Sequence, residues 1–161
     1  MIILILVAIV LLFGLVVFRG APYLPTMPAQ VDIALDLLGL EKGQTLLELG
    51  SGDGIVLKKA AQRGLNVIGI ELNPLLVIIT YIRCWKYRKQ VTIIWGDYWR
   101  KPWPASDGMY VFLLDKYMKK LDKKVIQYRK DVPYPLVSFT FKIPDKHTIR
   151  SKNGIHLYLY K

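Results

Sequence analysis

The run Leu47-Glu48-Leu49-Gly50-Ser51-Gly52-Asp53-Gly54-Ile55 concentrates the residue types from which a ligand site is built. Glycines at 50, 52 and 54 let the backbone turn tightly and approach a ligand with no Cβ in the way. A helix starting at Ile55 would add its free N–H groups. The spacing is Gly-x-Gly-x-Gly, whereas a dinucleotide fingerprint needs Gly-x-Gly-x-x-Gly and a phosphate loop needs a following Lys-Ser/Thr. Glu48 and Asp53 put negative charge where a diphosphate would be repelled. Glu71, 17 residues past Gly54, ends an apolar run, where a carboxylate can accept both hydroxyls of a ribose. Gly96-Asp97 ends another; Asp97 can accept from an adenine amino group, with Tyr98 and Trp99 available to stack on the ring. Glu71 or Asp97 alone would read as a solvated strand-end acid. Together with the glycine loop, these acids instead describe a site for a nucleoside with a charged tail.

Such a site needs strands to end at it and helices to start from it. Thr45–Leu49, Asn66–Glu71 and Val91–Trp95 read as short buried strands, followed by Met109–Leu114 and Leu136–Phe141. Between them, helical spacing runs from Ile55 to Arg63, from Pro74 to about Lys89 and from about Lys116 to Lys130. Val31, Ala34, Leu35, Leu38 and Leu40 form an earlier helix ending near Gly39 and Gly43. Thr148–Arg150 and Ile155–Tyr160 around Asn153-Gly154 read as an antiparallel hairpin. The alternation predicts an α/β fold: a doubly wound, mostly parallel Rossmann-like sheet with an antiparallel C-terminal hairpin.

The chain has 161 residues and a net charge of +11, with 53% hydrophobic residues and one cysteine, which excludes a disulfide scaffold, a disordered chain and a multidomain assembly. The hydrophobic excess is local, since Met1 to Phe18 holds no charge. As a helix that segment would be roughly 27 Å long, close to a bilayer core of about 30 Å. It lacks the basic start and small-residue cleavage site of a signal peptide. Residues 1–19 therefore read as a transmembrane anchor, 20–28 as a proline-rich connector and 29–161 as the domain. Arg19 and the basic body behind the span put the domain in the cytoplasm by the positive-inside rule. Residues 1–80 carry 5 Lys/Arg against 6 Asp/Glu and residues 81–161 carry 18 against 6, so the second half owns the whole positive excess.

The glycine loop and its acids resemble the class I, seven-strand S-adenosylmethionine-dependent methyltransferases from about Gln44 to Lys161: Glu48–Gly54 is similar to their first motif, Glu71 to the second and Asp97 to the third. Pro22-Tyr23-Leu24-Pro25-Thr26, Leu49–Gly54 and Gly69-Ile70-Glu71-Leu72-Asn73-Pro74 narrow the likeness. They resemble the small membrane-anchored protein-lysine methyltransferases that act on the ATP-synthase c subunit and the adenine nucleotide translocase. The resemblance implies S-adenosylmethionine as cofactor and lysine methylation as activity. It implies cofactor contacts from Glu48, Gly50, Ser51, Gly52, Asp53 and Gly54 in the loop, from Glu71, Leu72 and Asn73 after the second strand, and from Asp97, Tyr98 and Trp99 after the third. Tyr23 and Thr26 would close over them. Ile55 stands where the family usually has Arg. Leu113-Leu114-Asp115-Lys116-Tyr117-Met118 lacks the Asn/Asp-Pro-Pro-Tyr signature of amide and nucleic-acid amine methylases.

For a lysine acceptor the pocket must favour the neutral amine and offer one proton acceptor. Asp115 is the candidate, with a first-turn helix acid as the alternative reading. Lys116, Lys119, Lys120, Lys123, Lys124 and Lys130 read as a solvated face, or as a contact for anionic headgroups that Arg83, Lys86, Arg88 and Lys89 could extend. A nucleic-acid partner is not expected, because an anchored enzyme has poor access to most RNA. His147 and His156 lack companions at ligand spacing, so no metal is assigned. Cys84 reads as a buried or half-buried helix residue, and Trp85, Trp95, Trp99 and Trp103 as core or rim aromatics. Two other functions fit the same features: methylation of a lipid or other small membrane-soluble molecule, and a catalytically silent, membrane-tethered cofactor-binding module.

Overall fold

A computed structural model describes Met1, residues 26–128 and residues 133–161. Residues 2–19 of the predicted anchor, Tyr23 and Lys130 lie outside the described residues. Among those described, no helix is long and apolar enough to cross a membrane.

Seven strands form one sheet in the order β3-β2-β1-β4-β5-β7-β6. The central strands are β1 (Thr45–Leu49), β2 (Asn66–Glu71), β3 (Val91–Trp95), β4 (Gly108–Val111) and β5 (Tyr134–Phe139), all parallel. β6 (Arg150–Lys152) and β7 (Ile155–Tyr160) complete it as an antiparallel hairpin, with β7 against β5. The fold is thus the expected Rossmann-like one. The chain winds outward from β1 to β3, then crosses back to β4, so the strand order reverses between β1 and β4, where ligands of open α/β sheets bind.

Helices α1 (Pro28–Leu38), α2 (Ile55–Gln62) and α3 (Pro74–Arg83) cover one face, whose core holds Val31, Leu35, Leu46, Leu57, Ala60, Val67 and Tyr110. The other face has one described helix, α4 (Asp115–Tyr128), which buries Met118, Leu121 and Val125 against Leu47, Met109, Leu136 and Tyr158. Side-chain alternation along β1 decides what faces what: Leu47 and Leu49 go to the α4 side, Leu46 and Glu48 to the α1–α3 side.

The boundaries differ from expectation at several places, five of which have a local cause. Pro28, the last connector residue, is the first helical residue of α1, where its missing N–H costs nothing. α3 stops at Arg83 and gives way to a 3₁₀ turn, Trp85–Tyr87, before β3. β4 runs Gly108–Val111, not Met109–Leu114, because its parallel pairing with β1 ends at Leu49↔Val111, leaving Phe112–Leu114 as the link to α4. β5 begins at Tyr134 and ends at Phe139 because Thr140 takes a left-handed φ of 72° and Ser138 donates its hydroxyl to the Phe141 carbonyl, closing a turn. β6 is Arg150–Lys152, because the two-residue turn at Asn153-Gly154 pairs Lys152 with Ile155 and fixes the register from there.

Candidate active site

The loop from Gly50 to Gly54 leaves β1 and enters α2. Gly50, Gly52 and Gly54 have φ of 79°, 55° and 77°, a left-handed conformation that other residues rarely adopt. At Gly54 the constraint is doubled, since a Cβ there would lie 2.5 Å from Thr80 Cγ2. Thr80 also holds the loop by donating its hydroxyl to the Gly52 carbonyl at 2.9 Å. On β2, Gly69 is required by close approach: a Cβ would fall 2.6 Å from Leu57 Cδ1 and 2.8 Å from Ser51 Cβ, so α2 could not sit down on the sheet.

The acids divide into two kinds. Glu71 is buried and its carboxylate accepts from Gly52 N–H at 2.8 Å and from Asn73 N–H at 2.7 Å, so it organises both the glycine loop and the start of α3. Burial still holds its pKa above the ordinary carboxylate value, although both N–H groups pull the other way. Asn73 caps α3 by accepting from Leu75 N–H at 3.0 Å. Asp53 accepts from the Arg83 guanidinium at 2.7 Å, so the positive charge beside it offsets the repulsion read from the sequence. Asp97 accepts from Trp99 N–H at 2.8 Å and shapes the turn after β3.

Glu48 is different. It is 4% exposed, faces the α1–α3 side beside Gly69 and Tyr110, and its Oε2 has no hydrogen-bond partner. Desolvation, with Glu71 and Asp53 adding like charge, pushes its pKa well above the usual range. The Ser51 hydroxyl is also buried and unpartnered. Two orphaned polar groups at the end of β1 and in the glycine loop are costly in a finished interior. They fit a ligand that supplies the missing donor. Thr26 closes the other side, its hydroxyl 3.2 Å from the Tyr110 hydroxyl, which sits on β4 beside Glu48.

The aromatic wall comes from the loop after β3. Tyr98 lies 3.8 Å from where a Gly50 Cβ would be, and Tyr98, Trp99 and Tyr117 meet in tilted ring contacts, with centroids 5.0 and 5.9 Å apart. The Lys124 ammonium latches the loop, donating to the carbonyls of Tyr98 at 2.7 Å and Trp99 at 3.0 Å, with its Nζ 4.5 Å over the Trp103 ring. Lys124 is therefore not part of a solvated face. Sequence analysis missed this role, although Leu121, Lys124, Val125 and Tyr128 share one helical stripe, which was the available signal. It also missed Thr80, Arg83 and Tyr110, whose separation in the sequence gives no hint of proximity. Leu72 serves through its backbone, its carbonyl accepting from Trp95 Nε1 at 3.0 Å. Asp115 is exposed at the first residue of α4, two positions before Tyr117. Trp103 is buried, whereas Trp85 and Trp95 are 67% and 64% exposed and belong to neither core nor rim.

Residues 48–150 match the family of the ANTKMT methyltransferase domain. The human lysine N-methyltransferase of the ATP synthase c subunit is 28% identical over 112 residues, 68% of this chain and 48% of that protein. The mouse adenine nucleotide translocase lysine N-methyltransferase is 31% identical over 126 residues, 76% of this chain and 54% of that protein. This chain thus spans about half the length of the curated relatives it matches. Among solved structures, an RNA methyltransferase from Salinibacter ruber in complex with S-adenosyl-L-homocysteine superposes with a TM-score of 0.76 at 26% identity, covering 85% of this chain and 92% of that one.

Proposed function

The chain belongs to the ANTKMT methyltransferase-domain family, and from that premise we propose that it is an S-adenosylmethionine-dependent methyltransferase that methylates lysine in a membrane-associated protein. The observation that carries the cofactor is the buried, unpartnered Glu48 carboxylate beside the glycine loop, together with the unpartnered Ser51 hydroxyl. Glu48 would receive the cationic amine of the amino-acid tail, Glu71 the ribose, and Asp97 the adenine edge, with Tyr98 or Trp99 against the ring. Leu72 and Asn73 would border the ribose, Gly50 and Gly52 would leave room for the tail, and Thr26 would cover it. When bound, the cofactor supplies a methyl group on an activated sulfonium, so in-line placement of the nucleophile and exclusion of water do most of the work. Tyr98, Trp99 and Tyr117 give an apolar approach that favours a neutral amine, and Asp115, at the edge of that wall, takes its proton.

The same reading keeps residues 1–19 as a membrane anchor with the domain on the cytoplasmic side, where the basic residues of α4, or those that follow α3, can meet anionic headgroups. The choice of a protein lysine as acceptor rests on the two relatives, named for lysine methylation of the ATP synthase c subunit and the adenine nucleotide translocase.

Titration of the full chain with S-adenosylmethionine tests the first half of the proposal; absence of binding would leave only a tethered scaffold. Transfer of radiolabelled methyl groups into membranes, followed by acid hydrolysis, tests the second. Label recovered as methyllysine supports it. Label in a solvent-extractable lipid, or in RNA as the name of the Salinibacter neighbour would suggest, overturns the choice of acceptor and keeps the reaction class.

A further inference from the structure

Helix α3 is apolar on both sides. From Pro74 to Ile82 it carries no charged residue. Leu76, Val77 and Thr80 are buried against the rest of the domain, while Ile78, Tyr81, Ile82 and Trp85, at i, i+3, i+4 and i+7, line an open apolar groove of about 430 Å³. Ile82 is 72% exposed. A helix that is hydrophobic all round is normally covered all round, and contiguous exposed patches of this kind mark interaction sites.

Three features of the patch choose its occupant. First, Tyr81 in the groove donates its hydroxyl to the Ile93 carbonyl, and the exposed Trp95, at the end of the adjoining β3, donates Nε1–H to the Leu72 carbonyl just before α3, so both turn a polar atom toward the domain. Second, the end of the patch is cationic without compensation. From Pro74 to Gln90 there is no acidic residue and four basic ones, of which Arg83 is spent on Asp53. Lys86, Arg88 and Lys89 stay at the rim, and Arg88 lies 5.0 Å over the Trp85 ring. Third, Trp and Tyr beside Lys and Arg, around an aliphatic centre, is the composition of a segment that sits at the headgroup level of a bilayer.

We propose that the outer face of α3, with Trp85 and Trp95, docks into the interfacial layer of an anionic lipid bilayer, Lys86, Arg88 and Lys89 meeting the headgroups. This contact is separate from the predicted span at residues 1–19 and from the methyl-transfer reading. It would lay the domain on the membrane in one orientation.

The test uses the full chain reconstituted into phosphatidylcholine vesicles, with and without phosphatidylglycerol, carrying brominated acyl chains that quench tryptophan only at short range. The expected result is loss of the Trp85 and Trp95 emission in vesicles containing phosphatidylglycerol. That quenching should disappear in the Trp85→Phe/Trp95→Phe chain, whose remaining indoles belong to the aromatic loop, and in Ile82→Glu, which keeps all four. Because Ile82 is exposed, Ile82→Glu should retain its thermal midpoint and its titration with S-adenosylmethionine. Unquenched emission in the parent chain, or equal quenching in the double variant, overturns the proposal. So does self-association without lipid that Ile82→Glu abolishes, which assigns the face to a second copy. A disulfide between Ile82→Cys and a cysteine placed within Met1–Phe18 overturns it too, assigning the face to the chain's own segment. Failure to bind S-adenosylmethionine with quenching intact would sink the enzyme reading and leave this one standing.

Discussion

Glu48 and Glu71 face the same region from neighbouring strands, yet only Glu71 has its hydrogen bonds made. The difference predicts opposite behaviour on neutralisation. Glu48→Gln removes a buried carboxyl that has no partner in the protein and resists ionisation, so it should raise the melting temperature of the ligand-free chain at alkaline pH. It should also weaken S-adenosylmethionine binding by about 10–100-fold, the worth of a hydrogen bond to a charged group. Glu71→Gln should lower stability, since it breaks acceptance from Gly52 and Asn73. The pH dependence follows from the same raised pKa values. A carboxyl whose pKa is higher folded than unfolded holds more protons in the native state. Stability then falls as pH rises from the ordinary carboxylate value through the folded one. Ligand-free chain should therefore be more resistant to urea at mildly acidic than at alkaline pH, and Glu48→Gln should flatten that slope. A slope of the same size in the variant would exclude Glu48 as its source.

At the scale of elements, the site depends on how one helix or loop holds another. Gly54→Ala combines a left-handed backbone with a 2.5 Å approach to Thr80 Cγ2, so it should cost about 2 kcal/mol or more, measured by urea unfolding, since the backbone term alone is roughly 1–2 kcal/mol. Lys124→Met should leave α4 folded but free the Tyr98–Lys101 segment, seen as faster amide exchange there and weaker cofactor binding. Lys123→Met, an exposed neighbour, should change neither. These devices were unequally legible in the sequence. β1, β2, β3 and β7 ended where their apolar runs ended, and Glu71 and Asp97 lie where a strand-end acid is expected, because period and turn chemistry are local signals. The ends of β4 and β5 were not legible, since pairing to a neighbour stops one and a left-handed Thr140 the other. Nor was Asp53's engagement with Arg83 across 30 residues: Asp53 reads in the sequence as an acid aimed at ligand, and in the structure it is half of an ion pair joining the loop to α3.

Taken whole, the molecule puts three of its four candidate cofactor acids, Glu48, Asp53 and Glu71, in the near-neutral half of the chain, and Asp97 with the excess positive charge in the other. If residues 1–19 span a bilayer, the full chain should remain in the membrane pellet after alkaline carbonate extraction; release into the supernatant would remove the anchor from the account. Under either outcome α3 has two employments. Thr80, Arg83 and Cys84 grip the glycine loop from its inner side, with Cys84 Sγ 3.8 Å from the Gly54 carbonyl and its thiol pKa pushed by burial to about 11. Ile78, Tyr81, Ile82 and Trp85 open outward from the same ten-residue rod and the turn after it. Affinity for cofactor and affinity for vesicles then form a closed thermodynamic cycle: whatever factor one ligand imposes on the other must be returned unchanged in the opposite direction. A factor of one would make α3 an inert spacer. Any other value would make lipid an effector of methyl-donor binding, read by a rod nowhere more than one helix wide.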